Sequence, residues 1–153
     1  MEVGLHANMC DLTTEKIAYA LHSPFEAIGR DLSKDYGGTM NHLWIDFELI
    51  ERRRPPWSFR FQKRVGGSSP GKLTGLPRGV FENVGHYSVK PDFNELLRVP
   101  LDSVVSYALS LIYASTSVLV EKQKKLGGFD AQAFRSDFLI TCRQHGYAID
   151  STI

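Results

Sequence analysis

The fold is decided by residues 42–50, HLWIDFELI, in which apolar and polar side chains alternate along the chain. Successive side chains of a strand project to opposite faces, so a period of two indicates a strand with one buried face. The two predicted faces carry Leu43, Ile45, Phe47 and Leu49 on the buried side and His42, Trp44, Asp46 and Glu48 on the polar side. This strand predicts a sheet with helices on one face.

A second alternating run, WSFRFQKRV at residues 57–65, follows the break RRRPP. Proline has no backbone N–H to give to a strand ladder, so this break predicts a turn. Two alternating runs around a short turn indicate an antiparallel hairpin. We expect Glu48 to lie opposite Arg60 and Asp46 opposite Gln62, as cross-strand pairs. Residues 84–90, VGHYSVK, predict a third strand with Tyr87 and Val89 inward.

Helical signals flank these strands on both sides. Residues 13–21 predict one helix, and the capping box at residues 23–26, SPFE, predicts the start of a second that continues to Tyr36. After the strands come a short helical turn at 92–98, a long helix at 102–125 and a helix capped by Asp130. The sequence thus predicts a single α+β domain over residues 1–153. Its expected order is ααβββαα, with an antiparallel meander of three or more strands.

The composition and the length of the chain indicate its broad class of protein. The chain has 153 residues, 42% of them hydrophobic, which suits one globular domain. The N-terminus lacks the pattern of a signal peptide. Cys10 and Cys142 are far apart and form no metal or redox motif; we interpret them as reduced thiols of a cytoplasmic protein, with a disulfide between them as the alternative. The uncharged run at 103–120 predicts a buried central helix, with a membrane span as the alternative.

The stretch VGGSSPGKLTG at residues 65–75 resembles part of a phosphate-binding P-loop. Gly66, Gly71 and Lys72 fit that motif, but Leu73 stands where a magnesium-binding hydroxyl is required. Further glycines and a proline follow, so no helix N-terminus is expected to face a phosphate. We therefore predict a connecting loop and no nucleotide, other cofactor or metal.

Charge is distributed unevenly. Residues 52–78 contain eight Lys or Arg and no Asp or Glu, whereas the net charge of the whole chain is only +1. A basic, exposed hairpin with nearby tryptophans is typical of a binding surface, because arginine and tryptophan are enriched at interaction hot spots. The predicted partner-facing residues are Arg52, Arg53, Arg54, Trp57, Arg60, Arg64, Trp44, Asp46 and Glu48.

These observations favour a small cytoplasmic module that binds another protein and is not an enzyme. A bacterial toxin-neutralising protein of the immunity or inhibitor type is one concrete version, with an acidic patch expected on its partner. One alternative is a nucleic-acid-binding domain that uses the basic residues 52–78. Another is a small enzyme in which His86 works with Asp46 or Glu48 as an acid–base pair.

Overall fold

The computed structural model describes residues 1–50, 59–64 and 84–152. In these ranges the chain forms four strands and four helices, joined in part by short 3₁₀ turns. In chain order they are β1 (Glu2–Cys10), α1 (Glu15–Leu32), β2 (His42–Leu49), β3 (Phe59–Arg64), β4 (Val84–Val89), α2 (Phe93–Arg98), α3 (Val104–Glu121) and α4 (Ala131–Gln144).

The four strands form one sheet in the order β1-β2-β4-β3. Strands β1, β2 and β4 are parallel, and β3 runs antiparallel to β4 at the far edge. The predicted antiparallel meander and the order ααβββαα are therefore wrong, although the α+β class holds. The predicted hairpin partner is wrong as well, because β4 lies between β2 and β3.

Strand β1 is the element that the sequence-based prediction missed. Its apolar residues Val3 and Leu5 are buried, in alternation with Glu2, Gly4 and His6 on the other face. The chain then passes through α1 and returns in β2, parallel to β1. This β1-α1-β2 crossover is the standard way to join parallel neighbours, since a tight turn can join only antiparallel ones.

Helix α1 is one continuous helix and not the predicted pair, and it contains Pro24. A proline inside a helix removes one backbone donor and costs about 3 kcal/mol. An unbroken buried stripe runs past it on both sides, formed by Ile17, Leu21, Phe25, Ile28 and Leu32. Burying large apolar side chains contributes about 1.5–3 kcal/mol each, which outweighs the cost of the proline.

The core lies on one face of the sheet. Among the side chains whose burial is described, the sheet contributes the residues of one face: Val3, Leu5, Leu43, Ile45, Phe47, Leu49 and Val89. The helices contribute their buried residues to the same cluster. Phe25 of α1, for example, packs edge-on against Phe47, with the two ring centroids 6.4 Å apart. The prediction that Leu43, Ile45, Phe47 and Leu49 are buried is confirmed.

Helix α3 is the most apolar helix of the described chain and packs against α4, α1 and the sheet. The segment Leu101–Glu121 is long and apolar enough to cross a membrane by length and composition. An 18-residue window within it has a mean hydropathy of 1.6, and 56% of this window is buried in the fold. The core helix of a soluble protein has the same properties. Ile112, near its middle, is completely buried.

Candidate functional site: the polar face of the sheet

The second face of the sheet is polar, and the strand register defines it row by row. One row joins Gly4, Trp44, His86 and Gln62, and the next joins His6, Asp46, Ser88 and Arg60. Residues in register across neighbouring strands lie on the same face. We call this the polar face; its described side chains are those of Glu2, His6, Asn8, His42, Trp44, Asp46, Glu48, His86 and Ser88.

Trp44 stands near the middle of the polar face. Its indole packs against the imidazole of His6 on β1, with ring centroids 5.2 Å apart and planes inclined by 42°. Gly4, the register neighbour of Trp44 on β1, brings no side chain between them. The rings therefore form a small aromatic platform that is half-buried at Trp44 and exposed at His6.

Asp46 and His86 are in contact across β2 and β4. The imidazole Nε2 of His86 hydrogen-bonds Oδ2 of Asp46, and the two side chains are 29% and 10% exposed. Because a carboxylate is costly to bury alone, this partner is what makes the position of Asp46 tolerable. The contact fixes the orientation of the imidazole ring and leaves its other nitrogen to act toward a ligand.

Glu48, near the end of β2, and Lys90, just after β4, form a second charge pair. The Lys90 Nζ lies 3.5 Å from Oε2 of Glu48, and both side chains are largely buried. That oxygen has no hydrogen-bond partner among the described residues. The expected pairing of Glu48 with Arg60 is wrong, because β4 separates β2 from β3 and Lys90 takes the carboxylate. Asp46 likewise meets His86 and not Gln62.

The structure tests the predicted partner-facing residues unevenly. It brings Trp44, Asp46 and Glu48 to one face, and β3 places Arg60 in the row of Asp46 and Arg64 in the row of His42. The remaining predicted residues, Arg52, Arg53, Arg54 and Trp57, lie outside the described residues, as does the loop that carries Lys72. Their part in a binding surface stays a prediction.

His6, in the aromatic platform, and Lys90, in the pair with Glu48, were both missed by the sequence-based prediction. His6 was missed because β1 itself was not recognised. Lys90 could have been found, since His86, Ser88 and Lys90 continue one alternation beyond the end of β4. That period places Lys90 on the face of Glu48, two residues beyond Ser88, the register partner of Asp46.

Elsewhere among the described residues, three groups have strongly raised pKa values, and one of them is Tyr36, whose pKa is raised by burial and by its hydrogen bond to Asp137. Burial raises the pKa of Tyr107 to about 12, helped by the nearby charges of Glu95 and Asp92. Burial also raises the pKa of the Cys142 thiol to about 12, so this cysteine stays protonated and unreactive near neutral pH. Cys10 is exposed, and both cysteines are free thiols.

Across residues 1–50, 59–64 and 84–152, no group of three or more His, Cys, Asp and Glu side chains is close enough to hold an ion. No family model, curated protein or solved structure matches this chain.

Proposed function

We propose that this chain is a protein-binding module and that the polar face of its sheet is the binding surface. The observation that carries the proposal is the Trp44–His6 platform with the Asp46–His86 and Glu48–Lys90 pairs on the sheet face opposite the core. Large aromatic residues surrounded by polar groups dominate the energetics of protein interfaces.

The charge pairs support this role. Each holds side chains of neighbouring strands in place, so little conformational freedom is lost when a partner binds.

A photo-crosslinker tests the proposal directly. Ser88 lies in the row of Asp46 and is partly exposed, so p-benzoylphenylalanine placed there would report what covers the polar face. The matched control carries the same group at Ile140 on α4, which is 52% exposed. We expect irradiation in the native cell to give a discrete protein adduct at position 88 and none at 140.

A second variant makes the result specific. Trp44→Ala, combined with the crosslinker at position 88, should reduce the protein adduct at least severalfold at unchanged melting temperature. Equal adducts at both crosslinker positions would overturn the proposal. A nucleic-acid adduct at position 88 would overturn it too, and would favour the nucleic-acid-binding alternative.

A second candidate function is acid–base catalysis, and the Asp46–His86 contact favours it. A carboxylate on one imidazole nitrogen orients the ring and stabilises its protonated form, which is how histidine is prepared to accept a proton. Among the described residues, however, no hydroxyl or thiol hydrogen-bonds His86. A hydrolysis screen with nitrophenyl esters and phosphates tests this candidate: turnover must be lost in His86→Gln to support it.

A further inference from the structure

A groove of about 870 Å³ runs between strand β1 and helix α1. It lies at an edge of the sheet, because β1 is an end strand that pairs with β2 alone among the described strands. Its walls are built by the outer side of β1 and by one stripe of α1. That stripe includes Glu15, Ala18, Tyr19, Glu26 and Gly29, and Ser33 follows it as the residue that caps the end of α1.

The backbone of β1 offers hydrogen-bonding groups to this groove. The Glu2 N–H donates to Asn41 at 2.8 Å, on the β2 side, whereas the Val3 N–H donates to Ser33 Oγ of α1 at 2.9 Å. Because strand N–H and C=O groups alternate in direction, Leu5 and Ala7 direct theirs toward the groove, as Val3 does. Edge groups of this kind are a template for an added strand.

Helix α1 covers this edge at one end only. At Val3 the edge is closed by Ser33 and by Gly29, where an added β-carbon would lie 2.9 Å from the Val3 carbonyl oxygen. Toward Ala7 and Cys10 the small residue Ala18 lines the opposite wall, and the groove extends along both residues. The same β-carbon would lie 3.5 Å from the Leu5 nitrogen, so the accessible part of the edge begins at the Leu5 carbonyl and continues through Ala7.

The side chains that line the groove are acidic and partly apolar. Three carboxylates line the groove, those of Glu2, Glu15 and Glu26. Among the described lining residues there is one guanidinium, that of Arg30. The floor is apolar at Ala18 and Phe25, and Tyr19 is 87% exposed at the rim. An exposed aromatic side chain beside acidic residues suits a ligand that is cationic and partly apolar.

We propose that this groove binds an extended basic peptide segment of a partner protein. The segment pairs with the Leu5 carbonyl and the backbone of Ala7 as an added strand, and its Lys or Arg side chains reach Glu15 and Glu26. Strand addition at a sheet edge is a recurring mode of peptide recognition, in which the main chain gives affinity and the side chains give specificity. The groove adjoins the platform at Trp44, because His6 belongs to both, but its binding groups are the outer edge of β1 and one side of α1.

Charge argues for this occupant over the alternatives. A second copy of the chain paired edge to edge would bring the same acidic rim against itself, because a two-fold interface matches a patch with its own image. Nucleic acid would bring phosphates to the same carboxylates. A basic peptide is attracted to the groove, and the attraction speeds its association.

The test uses the full chain and a synthetic peptide as probe. Acetyl-Lys-Val-Lys-Val-Lys-amide is titrated into ¹⁵N-labelled protein while amide signals and amide hydrogen exchange are followed. We expect weak, saturable binding that shifts the signals of residues 5–7 and 15–22 and slows exchange at Ala7. The glutamate analogue and a peptide with proline as its central residue should bind at least tenfold more weakly.

Variants assign the charge contribution. Glu15→Gln with Glu26→Gln should weaken the lysine peptide by about three- to tenfold, the range for two exposed ion pairs. The matched control Glu121→Gln removes an exposed carboxylate at the end of α3, outside the groove lining, and should leave binding unchanged. Equal binding of the acidic peptide, or shifts that avoid residues 5–7, would overturn the proposal.

Discussion

Gly29 of helix α1 packs directly against the backbone of Val3 on strand β1. A β-carbon at Gly29 would lie 2.9 Å from the Val3 carbonyl oxygen and 3.5 Å from the Leu5 nitrogen. Real β-carbons essentially never come so close to a backbone oxygen, so any other residue would force α1 away from the strand. The glycine therefore sets the distance at which helix and strand can share one core.

Gly29→Ala is expected to destabilise the protein although alanine favours helices. The helix-propensity gain is at most about 1 kcal/mol. Displacing α1 strains the core and the Ser33–Val3 hydrogen bond, so we expect a net loss of about 1–2 kcal/mol in the free energy of unfolding, measured by urea denaturation. Ser33→Ala is the control, because it removes the hydrogen bonds of the Ser33 hydroxyl with the Val3 N–H and the Gly29 carbonyl without adding a β-carbon at Gly29. A more stable Gly29→Ala variant would contradict this account of the contact.

The Asp46–His86 contact should show up as coupling in a double-mutant cycle. Removing either partner leaves the other in a largely buried place without its hydrogen bond, so Asp46→Ala and His86→Ala should each cost about 2 kcal/mol or more. We expect a coupling energy of about 1 kcal/mol or more from urea denaturation of the four proteins. Strictly additive effects would show that the contact contributes nothing to stability.

Ile112→Asp should prevent folding, because Ile112 is completely buried in α3. A buried carboxylate without a partner costs several kcal/mol, which is comparable to the whole stability of a domain this size. The control Ile140→Asp places the same charge at a site that is 52% exposed and should change the melting temperature little. Circular dichroism distinguishes the two variants. A wild-type protein that needs detergent to stay in solution would instead favour the membrane-span alternative.

Stability should fall in alkaline solution partly because of Tyr107. Its pKa is raised from the ordinary value of 10.0 to about 12 in the folded protein, chiefly by burial. Unfolding therefore releases a proton from Tyr107 between pH 10 and about pH 12. The stabilisation that the protonated Tyr107 gives to the folded state is fully present below pH 10 and is lost as the pH rises toward 12. Tyr107→Phe should flatten the fall in urea midpoint between about pH 9 and about pH 11.5. Tyr19→Phe, at an exposed site, should leave that fall unchanged.

Local signals in the sequence predicted individual elements well. The alternation of residues 42–50 correctly identifies β2 and the residues it buries, because burial of one face imposes that period. The helix cap is also correct at Asp130, whose carboxylate accepts from the Ala133 N–H at 3.0 Å. Each of these signals can be recognised from residues that lie close together along the chain.

Neighbour relationships were not predictable in the same way. Alternation in β2 and β3 assigns faces but does not say which strand lies beside which, so a short break between them suggested a hairpin. Gly4, Ala7 and Asn8 lower the strand propensity of β1, although its alternation was visible. For the candidate site, the pairing of Asp46 with His86 depended on β4 lying next to β2, and the sequence-based prediction did not place it there.

The strand order has a consequence for how the chain acquires its structure. Strand β4 is the last of the four in the sequence but occupies an interior position, between β2 and β3. During synthesis β1, α1 and β2 can associate early, whereas the side of β2 that receives β4 stays open until residues 50–83 have been made. Strand β3 pairs with β4 alone among the described strands, so it cannot join the sheet until β4 has been made. Such long-range pairing slows folding and exposes a strand edge to other chains meanwhile, so the arrival of β4 ends the period in which a nascent chain is most prone to aggregate.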